Sequence, residues 1–298
     1  MNIESLRVFY KTIYYSSISL AAKELFISQP ATSLQIKALE KELKLTLLER
    51  SNRGVIPTEE GKIVYKYAES ILSLYENMIR DAHECSGNVQ KRLAISSCAT
   101  LGQYSLPCSL YEFTKKFQDV EIQTEHTFSY DVIAQVRDRG VDIGFIEGSY
   151  SDDNIDCVFM GNTELFFVTS PKLLDMDRLS KDQLSQYSFF LIHRKCSLRK
   201  IIEESLVKAQ VNVSQLKVNL ESPSIEAIKS FVLSGHGISV LPYLSIKKEV
   251  YNKSLKIVKV DDISFPYSFS LIYNKKLVKP MKHEFISFMK NEGKNKLC

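Results

Sequence analysis

Between Ser19 and Leu43 the chain spells a short helix, a two-residue connection and a longer helix opening on small polar side chains, a pattern few folds accept. The short segment turns Ala21, Ala22 and Leu25 to one face, and side chains as small as alanine let two helices cross closely. Ser19 is placed to cap it, and it runs to Phe26. Ile27 and Ser28 form the connection; Ser28 caps the next helix and Pro30 falls in its first turn, where a missing N–H is harmless. Ile36, Leu39 and Leu43 then face inward. Upstream, Ile3, Leu6, Phe9 (or Tyr10) and Ile13 have helical spacing, broken at Ser16 and Ser17. A helix-turn-helix of this kind places the N-terminal end of its second helix in a DNA major groove. The candidate contacts there are Ser28, Gln29, Pro30, Ala31, Thr32, Ser33 and Gln35. Glutamine can pair with adenine N6 and N7, and alanine or threonine can pack on a thymine methyl. Lys37 and Lys41, further along, are better placed for phosphate.

Leu48 to Thr58 follows, two apolar pairs around Ser51-Asn52-Arg53-Gly54, which reads as a β-hairpin wing aiming Arg50 and Arg53 at backbone or minor groove. Residues 1–58 hold eight Lys and Arg against five Asp and Glu, whereas residues 59–90 hold three against six. The positive charge therefore lies where DNA would be. Three helices and a hairpin also suit a protein-interaction module, and the segregated charge and paired wing arginines argue for nucleic acid.

Residues 1 to about 60 resemble the winged helix-turn-helix of LysR-type transcriptional regulators. The resemblance is carried by Ser19 through Ala31, by Gln35-Ile36-Lys37-Ala38-Leu39-Glu40, and by Leu48-Glu49-Arg50 through Gly61. Thr32, Leu34 and Pro57 depart from the common Val, Arg and Leu, and the loss of Arg at 34 removes one contact. The resemblance implies sequence-specific binding of double-stranded promoter or operator DNA, a small-molecule effector, a dimer that extends to a tetramer through the effector domains, and RNA polymerase as a further partner.

Thr58 can cap the next helix, with Glu59 and Glu60 in its first turn. Val64, Ile71 and Met78 recur every seven residues, Tyr67 and Leu74 fill the positions between, and Asp81 interrupts. This is a seam for a second copy of the helix, or alternatively a face packed on its own domain; the resemblance favours the dimer. Ser86-Gly87-Asn88 ends it.

From Arg92 strands and helices alternate, which argues α/β with mostly parallel sheets. Expected strands are 92–97, 120–126, 141–146, 165–169, 189–192, 238–241, 255–260 and 267–273. Expected helices are 105–117, 130–139 closed by Gly140, 198–209, 224–234 closed by Gly235, and 281–291. The helix–Gly–strand unit at Gly140 is echoed at Gly235, which suggests two related subdomains. The expected organisation is a winged helix-turn-helix over 1–58, a dimerisation helix and hinge over 59–90, and an effector domain over 91–298. By resemblance to the LysR-type effector domain, a relative of periplasmic binding proteins, subdomain I is 91–163 with 266–298, and subdomain II is 164–265. The best match there is Glu221 through Lys229 and on to Pro242.

Ligands of such folds bind beyond the carboxyl ends of parallel strands, where helix N-termini offer N–H groups. The candidates are Cys98 and Thr100 after the first strand, Thr127 and Phe128 after the second, Glu147 after the third, Cys196, Ser197 and Arg199 after a later one, and Ser224 at a helix start. Converging helix dipoles with Arg194 and Arg199 suggest a small anion such as a carboxylate. Cys98 and Cys196 take positions where the family often has Ser, facing one cleft from opposite sides. Thiols there either replace hydroxyls with little consequence or, beside helix N-termini and Arg194, Lys195 and Arg199, have lowered pKa values suited to a thiol-reactive signal or a soft metal. Paired cysteines near one another, as in peroxide-sensing family members, are not present around Cys196.

The six cysteines, Cys85, Cys98, Cys108, Cys157, Cys196 and Cys298, are scattered without CxxC or histidine spacing, so a structural zinc site is not expected and free thiols are. No GxSxG, P-loop, HExxH or strand-following GxGxxG appears, so neither an enzyme nor a resident cofactor is expected. No apolar run of membrane length and no secretory leader is read, so a cytoplasmic location is expected. The competing functions are a cytoplasmic small-molecule receptor without DNA-binding activity and an oligomeric interaction protein that has lost it.

Overall fold

The computed structural model describes residues 2–51, 54–85, 91–174, 176–276 and 279–298. The chain divides into two compact units, Met1–Val89 and Gln90–Cys298. In the first, α1 (Ile3–Tyr14), α2 (Ile18–Glu24) and α3 (Gln29–Leu43) precede the hairpin β1 (Leu48–Ser51) and β2 (Gly54–Pro57), and α4 (Glu59–Cys85) follows. The caps account for these boundaries. Asn2 caps α1, and Ser28 accepts the Ala31 N–H at the head of α3. Ser17, not Ser19, caps α2, accepting the Leu20 N–H at 3.3 Å. Starting early, α2 also ends early, at Glu24, and Phe26 takes a left-handed φ of 55° with its ring in solvent. Leu6, Phe9, Leu39, Leu47, Ala68 and Leu72 form the core, so α4 is built into this unit. At Gly54, φ is +115°, and a Cβ would strike the Ser16 carbonyl oxygen that accepts the Val55 N–H at 3.1 Å. Glycine there locks the wing to the turn between α1 and α2.

The second unit contains β3 (Lys91–Cys98), α5 (Ala99–Tyr104), α6 (Leu106–Lys116), β4 (Val120–Thr127), α7 (Ser129–Arg137), β5 (Ile143–Glu147) and β6 (Ile155–Thr169). It continues through β7 (Arg178–Leu179), β8 (Ser188–Ile192), α8 (Ser197–Lys208), β9 (Lys217–Ser222), α9 (Ile225–Leu233), β10 (Ile238–Pro242), α10 (Tyr243–Tyr251), β11 (Lys256–Val260), β12 (Phe265–Asn274) and α11 (Pro280–Asn291). The strand order is β4-β3-β5-β12-β6-β10-β8-β9, with β11 on β6 and β7 on β11. Parallel pairing holds on the two flanks, β4-β3-β5 and β10-β8-β9. The centre is antiparallel, because β6 and β12 run against each other and against their outer neighbours. These two strands pass between two lobes with separate cores. One core gathers Phe113, Phe145 and Phe285, and the other gathers Phe189, Ile202, Ile228 and Phe265.

The first half of β6, the strand β9 and the helix α10 escape the sequence reading, and the left-handed residue closing α7 is Arg139 (φ 59°), not Gly140. Gly235 does close α9, at φ 80°. Two of the six cysteines are also not free: Cys108 and Cys298 form a disulfide across 190 residues. The last residues cross the start of α6, where the Cys298 N–H donates to the Ser105 carbonyl and Ser109 Oγ donates to the Gly293 carbonyl at 2.7 Å. Lys247 Nζ meets the Cys298 carbonyl oxygen.

Candidate functional site

Helix α3 buries Thr32, Ile36 and Leu39 and exposes Gln29, Pro30, Leu34 and Lys37. Thr32 is fully buried and donates to the Ser28 carbonyl at 3.1 Å, so it supports the turn and is withdrawn from the set of groove-facing residues. Ala31, Ser33 and Gln35 are half-buried along the edge of the same face, and Ser28 and Gln29 stand at its tip. Gln35 Oε1 is buried with no hydrogen-bond partner among the described residues. Leu34, 70% exposed in the middle of this face, was passed over for contact in the sequence; the 30–34–37–41 spacing was the signal for it. Arg50 lies on β1, opposite Val55, and the expectation for Arg53 falls outside the described residues, as does the helix ending expected at Ser86-Gly87-Asn88.

On α4 the expected seam splits. Val64 and Ile71 are partly buried against the core of their own unit, beside Ala68 and Leu72, and so are corrected as free seam positions. Tyr67, Leu74 and Met78 are exposed, and Ile63, missed in the sequence, joins them one turn earlier. The free stripe therefore follows 63–67–74–78 rather than 64–71–78.

The second unit holds a cavity of about 400 Å³ at the carboxyl ends of β3, β4, β5 and β8. Cys98, Thr100, Thr127 and Phe128 form one wall, Glu147 the floor, and Cys196, Ser197 and Ser224 the other wall. Apolar surface comes from Phe128, Ile192, Leu198 and Ile225. Glu147 is held by groups from four elements, β3, α5, α7 and α8. Ser129 Oγ, at the head of α7, donates to Glu147 Oε2 at 2.9 Å, and Cys98, Thr100 and Ser197 also close on the carboxyl. Burial pushes its pKa up, and the hydroxyl and thiol donors only partly offset that. Nearby, the Tyr267 hydroxyl is buried without a hydrogen-bond partner among the described residues, and burial together with the Glu147 charge raises its pKa. His126, in the cavity wall, pairs through Nδ1 with Ser97 Oγ at 2.9 Å.

Arg199 does not line the cavity. Only 1% exposed, it donates from Nε to Glu203 at 2.8 Å, to the Ile192 carbonyl at 2.9 Å and to Glu221 at 3.1 Å. It pins the head of α8 to β8 and β9, and is corrected from ligand contact to structural brace. Arg194 also pairs with Glu221, which leaves the expected anion without the arginines that were to bind it.

Both Cys98 and Cys196 line the cavity, but the expected lowering of their pKa values is reversed. Burial and then the Glu147 charge push Cys196 up to about 11, and the same two causes raise Cys98 well above the ordinary thiol range. Arg194 and Arg199, two of the three cations meant to stabilise a thiolate, are paired with Glu221, and Lys195 is exposed outside the cavity lining. Among the described residues no group of three or more His, Cys, Asp or Glu could hold a metal ion, and no helix is long and apolar enough to cross a membrane.

A DNA-reading winged helix joined to a two-lobed α/β domain with a cavity between strand ends and helix starts defines a ligand-responsive regulator class. Residues 3–62 match the model of the bacterial regulatory helix-turn-helix protein, lysR family, and residues 86–294 match the LysR substrate binding domain. The chain belongs to the LysR family of transcriptional regulators, with a DNA-binding helix-turn-helix and an effector-binding domain. It is 27% identical over 300 residues to a probable RuBisCO transcriptional regulator of Phaeodactylum tricornutum, covering 99% of this chain and 98% of that one. A protein of the same name from Trieres chinensis is 29% identical over 280 residues, covering 91% and 90%. In fold it is similar to the crystal structure of CbnR, a LysR family transcriptional regulator, with a TM-score of 0.74 at 17% identity over 97% of this chain and 98% of that one. Full-length CbnR complexed with its target DNA gives 0.71 at 18% identity, over 97% and 99%.

Proposed function

We propose that this regulator reads its operator with the tip and exposed face of α3, pairs through the free stripe of α4, and changes its DNA binding or activation when a small molecule fills the cavity of the second unit. The observation that supports this reading most is the cavity itself, walled by eight of the nine residues expected to bind effector. Cys98, Thr100, Thr127, Phe128, Glu147, Cys196, Ser197 and Ser224 are the proposed effector contacts. Ser28, Gln29, Pro30, Ala31, Ser33, Gln35 and Lys37 are the proposed contacts to DNA, with Leu34 added for a thymine methyl and Arg50 and Arg53 from the wing. The functional divisions at 58 and 90 go with it, as do a cytoplasmic location, a dimer extended to a tetramer, and RNA polymerase as a further partner.

Gel shifts against random genomic fragments test the DNA part. Gln29→Ala should weaken cognate sites by about 1–3 kcal/mol through loss of a bidentate base contact. Arg53→Ala should weaken all sequences and flatten the salt dependence. Parent-like binding by both variants would refute the contact assignment.

A further inference from the structure

Three helices, α7 (Ser129–Arg137), α8 (Ser197–Lys208) and α9 (Ile225–Leu233), start at the cavity, and their positive ends would ordinarily invite an anion. The protein has already supplied it. Ser129 and Ser197, the first residues of α7 and α8, turn their hydroxyls to Glu147, and α9 carries its Ser224 cap and Glu226 in its first turn. Two carboxylates, Glu147 and Glu226, line the cavity, and no Lys or Arg does among the described residues. Of the cations nearby, Arg199 and Arg194 are committed to Glu221 and Lys229 to Glu226 and Glu249 at 2.9 and 2.8 Å, while Lys195, next to Cys196, is exposed and outside the lining.

The two carboxylates differ. Against the effect of burial, the Tyr104 hydroxyl and Lys229 hold Glu226 below the usual carboxylate range. Glu147 receives only hydroxyl and thiol donors, and burial without a counter-charge raises it. A second anion would be placed against Glu147 in a partly dry cavity, at a steep Coulomb penalty. A cation would supply the missing counter-charge.

We propose that the cavity takes a small aliphatic ammonium ion, with its charged nitrogen on the Glu147 carboxylate and its hydrocarbon part against Phe128, Ile192 and Ile225. This rests on the reading of the cavity as the effector site. Glu147 then acts as the selectivity residue: the carboxylate that fills the helix starts excludes acids and admits amines.

The test is thermal denaturation of the full chain with n-butylammonium, ethanolamine and putrescine as chlorides, against sodium acetate, succinate and sulfate at matched ionic strength. An amine should raise the melting temperature saturably, by roughly 5–10 °C at a hundredfold excess over its Kd. Glu147→Gln should lose at least tenfold in affinity, while Glu147→Asp, which keeps the charge, should retain part of the response even if both variants melt lower than the parent. A saturable rise with acetate, succinate or sulfate instead would overturn the ammonium assignment and leave the cavity as an effector site. No saturable response to any of the six would overturn the ammonium assignment too. Amine binding that is lost in Glu147→Gln but leaves operator affinity and transcription in vitro unchanged would uphold the site and refute the regulatory reading.

Discussion

Replacing Arg199 by leucine separates a brace from a ligand contact. The guanidinium makes three short bonds from a position that is 1% exposed, two of them to carboxylates and one to the Ile192 carbonyl. Breaking a buried ion pair from one side costs about 3–5 kcal/mol. The Glu203 and Glu221 side chains are 37% and 26% exposed, so water recovers part of what they lose, and Glu221 keeps Arg194. The Ile192 carbonyl has no such recourse, and an unsatisfied buried acceptor costs about 1–3 kcal/mol. Together these put the loss near the lower end, about 3 kcal/mol, which is roughly 6–12 °C for a unit of this size. Calorimetry of the full chain measures it on the transition of the second unit. A melting temperature within about 2 °C of the parent would refute the brace. Unchanged stability with abolished ligand response would restore Arg199 to the cavity.

The disulfide closes a loop of 190 residues, for which chain entropy gives about 5 kcal/mol, so Cys298→Ser or reduction should lower the unfolding free energy of the second unit by up to that amount, read as a lower urea midpoint. An unchanged midpoint would mean the pair is not bonded in solution. Tyr67→Glu with Leu74→Glu should dissociate the dimer in sedimentation while leaving helix content intact, because both side chains are exposed within their own unit. A dimer that persists would place the interface elsewhere. Burial raises the Glu147 carboxyl, so the folded chain holds a proton there that the unfolded chain releases at lower pH. That contribution is complete at low pH and is lost as pH rises through the folded-state value. Glu147→Gln should therefore flatten the fall in urea stability above the ordinary carboxylate range, with Cys98, Cys196, Tyr267 and Glu226 left as the other shifted groups around the cavity. A fall of equal steepness in the variant would assign it to one of those.

What the sequence reveals here follows the range of the forces involved. Ser28 and Pro30 announce the start of α3 because capping is settled within four residues. The inward turn of Thr32 was also readable, from the 32–36–39–43 spacing, but a polar side chain at the head of the helix masked it. The i,i+4 pair of Arg199 with Glu203 was a similar local hint that the arginine was spoken for. By contrast, Glu147 draws its donors from β3, α5, α7 and α8, and Cys298 meets Cys108 across most of the second unit. Neither arrangement leaves a local trace. The cavity walls were legible as loops following strands, whereas the charge of the cavity, which decides what enters it, depended on pairings at a distance. The first half of β6 was missed because its partner, β12, lies about a hundred residues on, and its polar residues Asp156, Asn162 and Glu164 hide a strand pattern.

The two strands that pass between the lobes are laced to each other along nearly their whole length, from Phe265–Leu165 to Asn274–Ile155. Each lobe holds one end of both strands, so a motion of one lobe against the other is taken up within the ribbon while its register stays fixed. Bending leaves the lattice whole. It is easiest where Met160 stands as the extra residue between the Phe269–Gly161 and Ser270–Phe159 pairs, because ladder bonding is already interrupted there. The ribbon thus works as a leaf spring with one thinned point. An effector that drew the lobes together would meet least resistance at Met160 and Gly161.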